Sequence, residues 1–353
     1  MGGPMIELVC NLHSHTRFSD GEGTHREIAA AAARAGLDVV GVTDHNVWVD
    51  GLQGYYGRVL LLVGEEVHDP CRHPQVNHAL ILGAERELAR LAASPQDLIH
   101  AAQERGGLVF LAHPVEFSPP WLQSRLGEPA LPWVDRGIQG FTGLELWNTM
   151  SEFKARLSTP LHALYYSWFP QRFLRGPFPE ALQWWEQLWL SEIPAVAIGG
   201  ADAHGHAYRL GLFRRTLFPY EWLFRAVNTH ILLERPLSRR PDEDWLLIRK
   251  ALQAGRAWIA NDLLGSSHGF RFEARSGHRR ATIGETLRRA GAVQVEAVAP
   301  LPGEFRLIRF GNGCVARGRG RAFRHLILEA GLYRIQVYRR GRLWILTNPI
   351  RVV

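Results

Sequence analysis

The sequence is poor in cysteine and lysine and has no long apolar run. Its three cysteines, Cys10, Cys71 and Cys314, are far apart and in no Cys-x-x-Cys pair. That argues against a disulfide framework and for a reducing compartment, and each reads as a small buried apolar residue. No apolar stretch reaches membrane-spanning length. Met1-Gly2-Gly3-Pro4 offers neither a basic region nor a cleavable apolar segment, so no signal peptide is expected. The expected location is cytoplasmic, with no membrane partner. There is no internal repeat and no low-complexity segment. A glycine-rich phosphate loop after the first strand, which an open doubly wound sheet would carry, is also missing.

Lysine is nearly absent, so the basic charge is arginine. From Asp262 to Val353, 17 arginines stand against six acids, a net +11 that leaves −4 on the rest of a chain whose total is +7. A basic tail admits acidic partners such as nucleic acid. These arginines alternate along strand-like runs, and a solvated face is the simpler reading.

At 353 residues and 46% hydrophobic content, the chain can fill a large barrel and a small second domain. Ile6 to Leu12 reads as a buried strand that runs into His13-Ser14-His15-Thr16-Arg17-Phe18-Ser19-Asp20-Gly21. Period-two alternation puts both imidazoles on one side, half of a metal site, and Asp20 follows after a turn. Taken alone, the run is equally a polar turn with two incidental histidines. Thr24 and Glu27 then form a capping-box signature for a helix ending at Gly36. Asp38 to Thr43 is a strand that ends in Asp44-His45.

The pattern recurs. Val59 to Val63 ends in Gly64-Glu65-Glu66, and His78 opens Ala79 to Leu82. Ser94-Pro95 starts a helix, and Leu108 to Ala112 ends in His113-Pro114. Gly143 to Leu146 carries Glu145. Pro194 to Ile198 leads into Asp202-Ala203-His204. Strands alternating with helices imply a parallel sheet, and polar groups gathered at C-terminal strand ends favour a barrel. Residues 150–192, rich in tryptophan and proline, read as a partly helical insertion against the barrel mouth, its aromatics packing. Past Asn261, short alternating runs such as Val293 to Ala299 and Phe305 to Phe310, separated by turns such as Pro302-Gly303, read as a small all-β, sandwich-like domain. The expected division is residues 1–261 and 262–353.

Collected by strand end, the candidate metal ligands are His13, His15, Asp20, His45, Glu66, His78, His113, Asp202 and His204. Imidazole and carboxylate without thiolate suit zinc, manganese or iron, and nine ligands suffice for two or three ions. His68 and His73 read as loop residues, with accessory ligation as the alternative. Arg17 and Arg209 are candidates for bidentate phosphate binding.

These residues resemble the PHP (polymerase and histidinol phosphatase) family of metal-dependent phosphoesterases over about residues 5–260. The motifs that carry the resemblance are His-Ser-His-Thr-x-x-Ser-Asp-Gly, Thr-Asp-His, Gly-Glu-Glu, the lone His78, Ala-His-Pro, Gly-Leu-Glu-Leu-Trp-Asn and Gly-Ala-Asp-Ala-His. The resemblance implies an α/β fold, a distorted (β/α)7 barrel. It implies one ion held by His13, His15, Glu66 and Asp202, and a second by Glu66, His78 and His113. A third falls to Asp20, His45 and His204. It makes Glu66 rather than Glu65 the bridge, and Glu145 an orienting neighbour. The insertion and the Thr347-Asn348-Pro349-Ile350 ending resemble a carbaryl-hydrolase-like branch.

The implied activity is phosphomonoester or phosphodiester hydrolysis by a metal-bound hydroxide at a trinuclear site, on a small-molecule phosphate ester or nucleotide. A carboxylester or carbamate hydrolase using the same ions is the alternative, and a non-catalytic nucleic-acid or protein-binding module a further one.

Overall fold

The computed structural model describes residues 5–210 and 213–353, without the side chains of 207–215. In chain order the first half contains β1 (Ile6–Asn11), α1 (His25–Ala35), β2 (Val39–Val42), β3 (Gly54–Tyr56), β4 (Val59–Val67), β5 (Ala79–Leu82), α2 (Pro95–Glu104), β6 (Leu108–Leu111), α3 (Pro120–Leu126) and β7 (Gly143–Asn148). Residues 150–192 supply most of α4 (Thr149–Arg156), then α5 (Pro160–Trp168) and α6 (Pro179–Leu190). There follow β8 (Val196–Gly200), the pair β9 (Ala207–Leu210) and β10 (Phe213–Thr216), α7 (Tyr220–Leu223), β11 (Val227–Leu233), α8 (Pro241–Gln253) and β12 (Ala257–Asn261). After a 3-10 turn at Asp262–Leu264 the regular elements are all strands: β13 (Arg271–Ser276), β14 (Arg279–Thr282), β15 (Thr286–Leu287), β16 (Val293–Arg309), β17 (Gly313–Ile327), β18 (Gly331–Arg339), β19 (Arg342–Thr347) and β20 (Ile350–Val352).

Local chemistry fixes the ends of α1. The Thr24 hydroxyl accepts the Glu27 N–H, the Glu27 carboxylate reaches back to Thr24 N–H, and Gly36 closes the helix at φ 95°. The central strands β2, β4, β5, β6, β7 and β8 are buried at every residue, as strands covered on both faces must be.

The ladder runs β1–β2–β4–β5–β6–β7–β8. The expected parallel order holds except at β5, which is antiparallel to both neighbours. No helix crosses between β4 and β5, so the chain returns directly, as antiparallel neighbours do. The expected barrel is not closed by a ladder among the described residues. Between β8 and β1 there is one bridge, Ser14 with Ala203, in which His15 N–H donates to the Ala203 carbonyl at 2.9 Å. Below it, side chains span the gap. Ala201 N–H donates to Asn11 Oδ1 of β1 at 3.3 Å, and Gly199 N–H donates to Thr229 Oγ1 on β11, the strand beside β1, at 2.8 Å.

On its other edge β1 pairs with β11, β11 with β12, and β12 with β19, so the sheet continues into the C-terminal all-β region. There the expected turn at Pro302-Gly303 is absent. β16 passes through it as one long strand with a register shift between Val298 and Gly303, because a bulge absorbs prolines that cannot join the ladder. Cys10 is buried as expected, but Cys71 and Cys314 are exposed. Of the insertion's tryptophans, Trp184 and Trp185 are buried, and Trp185 Nε1 donates to the Ala195 carbonyl at 2.7 Å. No described helix is long and apolar enough to cross a membrane.

Candidate metal centre

Glu66 sits near the end of β4 with its side chain fully buried among five imidazoles. One oxygen, Oε2, lies 3.0 Å from His13 Nε2, 3.2 Å from His15 Nε2 and 3.4 Å from His45 Nδ1. The other, Oε1, lies 2.9 Å from His78 Nδ1 and 3.0 Å from His113 Nε2. Asp202 Oδ1 is 3.3 Å from both His13 Nε2 and His15 Nε2. On the open side, Asp20 Oδ1 is 3.2 Å from His204 Nε2 and Oδ2 is 3.6 Å from His45 Nε2. The structure therefore brings all nine expected ligands to one mouth. Together with His68 they fall into groups whose donor atoms lie within 4.8 Å of one another: His13, His15, Glu66 and Asp202; Glu66, His78 and His113; His15, Asp20, His45 and His204; and His45, His68 and His78.

The elements dictate this convergence. His13 and His15 follow β1, His45 follows β2, His78 precedes β5, which runs backwards, and His113 follows β6. The backbone turns into the left-handed region at His113 (φ 28°) and Asp202 (φ 55°), a strain that clusters at functional sites. Gly200 has no alternative, because a Cβ there would collide with Glu145 Oε1 and His13 Cβ.

A second layer holds the ligands. Glu145 Oε1 lies 2.9 Å from His13 Nδ1, while its Oε2 accepts His113 N–H at 3.1 Å and Asn148 Nδ2 at 2.9 Å. Asp44 accepts the Thr16 N–H, the Thr16 hydroxyl and the Ser19 hydroxyl, each at 2.7 Å, pinning the loop that carries Asp20. The Tyr220 hydroxyl donates to the His15 carbonyl at 2.8 Å. Asn148 and Tyr220 were not identified in the sequence. Asn148 lay within a quoted motif, whereas nothing local marks Tyr220. Glu65 points away and accepts Leu88 N–H at 2.9 Å.

Burial pushes His15 and His113 down, but the carboxylates of Asp202 and Glu66 outweigh it at His15 and that of Glu66 at His113, holding both at about 9. Burial would raise Glu66, yet the facing imidazoles, His13 first, hold it well below the usual carboxylate range. Burial dominates at His45, which falls to about 3. Ring nitrogens of His15, His45, His68 and His78 are buried without a hydrogen-bond partner, which a protein interior tolerates poorly. A cluster of imidazole and carboxylate with orphaned nitrogens fits a borderline divalent ion.

The expected phosphate ligands fare differently. Arg17 is exposed and turns from the cluster to the Glu22 carbonyl and the Glu27 carboxylate, both at 3.5 Å. The side chain of Arg209, on β9, lies outside the described residues. His73 is exposed and belongs to none of the groups.

A family model described as PHP domain matches residues 11–188, so Asp202 and His204 lie beyond the match. No curated protein matches the chain. Among solved structures, the chain is similar to a two-domain protein from Bacteroides vulgatus ATCC 8482, described as containing a predicted PHP-like metal-dependent phosphoesterase. Identity is 16%, coverage 98% of this chain and 95% of that one, and the TM-score 0.43. A candidate metal-dependent phosphoesterase from Bifidobacterium adolescentis ATCC 15703 is 17% identical over 56% of this chain and 87% of its own, with a TM-score of 0.31. An amidohydrolase from Chromobacterium violaceum, solved with bound sulfate and no metal, is 15% identical over 57% and 92%, with a TM-score of 0.28.

Proposed function

The chain belongs to the PHP domain family, and from that premise we propose that it is a metal-dependent hydrolase. The reaction supported best is hydrolysis of a phosphomonoester or phosphodiester on a small metabolite or nucleotide, at a trinuclear site. The observation that carries this reading is the sharing of Glu66, whose two oxygens face His13, His15 and His45 on one side and His78 and His113 on the other.

In this reading His13, His15, Glu66 and Asp202 hold one ion, Glu66, His78 and His113 a second, and Asp20, His45 and His204 a third. Zinc, manganese or iron suits such donors. Bound ions would supply Lewis acidity at the phosphoryl oxygen and would bring the pKa of a bound water down to about 7. The chain's own residues do the positioning. Glu145 holds the His13 ring through Nδ1, leaving Nε2 to face the centre. Asp44 fixes the loop that aims Asp20. Residues 1–261, including the 150–192 insertion, form the distorted barrel in this reading, with the Ser14–Ala203 bridge as its seam. Residues 262–353 form the sandwich-like domain in this reading, joined to the barrel's sheet through the β12–β19 pair. Arginines of that domain pair with acids on the same sheet, Arg306 with Glu304 and Arg324 with Glu296, which favours a small phosphate ester over nucleic acid.

A carboxylester or carbamate hydrolase is the second reading. The turning away of Arg17 from the cluster favours it.

The test is metal analysis of the purified protein, paired with a screen of phosphate and carboxylate esters in manganese or zinc. About two or three divalent equivalents and cleavage of phosphate esters are expected. Cleavage of carboxylate esters alone selects the second reading. Unchanged metal content in a Glu66→Ala, His113→Ala double variant overturns both.

A further inference from the structure

We propose that His68 is an additional metal ligand, forming with His45 and His78 a three-imidazole position beside Glu66. The inference rests on the hydrolase reading and deepens it.

His68 is no ordinary loop residue. It follows the last residue of β4 and lies two positions past Glu66, so strand alternation sends both side chains to the same side. Its backbone is held as a strand's would be. His68 N–H donates to Asn46 Oδ1 at 3.0 Å, Asn46 N–H donates to the Glu66 carbonyl at 3.0 Å, and His45 forms a bridge with Glu66. The ring is stacked on His78, with centroids 4.4 Å apart and planes at 12°. It stands edge-on to His45 at 5.0 Å and 81°.

The residue is 8% exposed. Nε2 lies 3.5 Å from the Asn46 amide nitrogen, and Nδ1 has no partner. His45 Nδ1 and His78 Nε2 are likewise buried without a hydrogen-bond partner. One nitrogen from each of the three rings lies within 4.8 Å of the others. Ring packing alone does not account for this, because packing can be satisfied with each nitrogen turned to a partner. Three neutral donors and no acid favour zinc, or cobalt in its place, over magnesium. Because His45 and His78 also belong to the groups around Glu66, His68 gives an ion there an alternative imidazole.

The test uses cobalt(II) titrated into the full-length, metal-stripped protein and followed by absorption. His68→Cys replaces the imidazole by a thiol, which becomes a thiolate when it binds a metal. A thiolate-to-cobalt charge-transfer band beyond the wild-type spectrum is expected in His68→Cys and not in His73→Cys, at the exposed histidine of the same loop. A residue that only packs against the ligands gives no such band, so its absence in folded His68→Cys overturns the proposal.

Should that variant not fold, His68→Ala decides. The weakest class of bound cobalt is expected to loosen about tenfold or more against a competing chelator, and unchanged affinity overturns the proposal. His113→Ala separates the two levels of the argument. Loss of cobalt there, with no effect at His68, removes only this inference. Retention of all cobalt there removes the metal-centre reading as well.

Discussion

Two buried knots of imidazole and carboxylate lie at the two ends of β1, built from the same residue types to opposite effect. Beyond its end is the Glu66 cluster. Near its start is His230, whose Nδ1 lies 2.9 Å from Glu7 Oε1 and whose Nε2 lies 3.1 Å from both Asp262 Oδ2 and the Ser267 hydroxyl. Glu7 Oε2 also accepts Gly269 N–H at 2.7 Å and Arg271 Nη1 at 3.0 Å. His230 stacks on Trp258. Every polar atom of His230 and Glu7 has a partner, whereas four histidines around Glu66 carry an orphaned nitrogen. A closed network of this kind serves structure, here tying β1 and β11 to the loop that opens the C-terminal region. An unclosed one, with its donors gathered within 4.8 Å, fits a divalent cation. Histidine and carboxylate together therefore identify nothing until their hydrogen bonds have been counted.

Five measurements can break or sharpen that contrast. The largest effect is expected from Glu66→Gln, which should lower hydrolysis by on the order of a thousandfold and reduce bound metal, as read by turnover and elemental analysis. Retained metal and rate would place Glu66 with His230 as a structural group.

Next is Glu7→Gln, which leaves the buried His230 half-paired and should cost about 3 kcal/mol of stability in urea unfolding, with metal content unchanged. The same knot sets a pH dependence. Burial pushes His230 down, but Asp262 and Glu7 hold it up at about 9 from 6.5. The folded state thus keeps a proton that the unfolded state has lost. The contribution is full below about pH 6.5 and disappears as pH rises through 9. Urea titrations of the metal-loaded protein should show that decline, flattened in Glu7→Gln.

Glu145→Gln should weaken metal binding by about ten- to a hundredfold without removing a ligand, measured by chelator competition. An unchanged affinity would mean that the His13 ring is held by packing alone.

The smallest signal is proton release. His15 and His113 sit at about 9, so zinc added to stripped protein at neutral pH must displace protons, and affinity should rise with pH up to about 9. Calorimetry in two buffers of different ionisation enthalpy reads this directly. Binding enthalpies that do not differ between the buffers would contradict the assignment of those rings as ligands.

Much of this was written in local patterns. The capping box of Thr24 and Glu27 and the apolar runs of β2, β4 and β6 depend on neighbours in sequence, so period and cap sufficed. Each strand's polar end is equally plain, which is why His13, Glu66, His113 and Asp202 stand out from the sequence. Three features escaped. The antiparallel β5 depends on which edge the returning chain finds. The unbroken β16 depends on partners β17 and β18 tolerating a bulge at Pro302. The Glu7–His230–Asp262 knot joins residues more than two hundred positions apart, none within a motif.

By itself, then, the sequence determined which side chains stand at strand ends and what metals their donors suit, because alternation and capping act over a few residues. Only the tertiary structure decided that His45 also faces Glu66, that Arg17 turns outward, and that the His68 ring stacks on His78. Those outcomes turn on distances of a few ångströms between segments far apart in the chain, and no local preference encodes them.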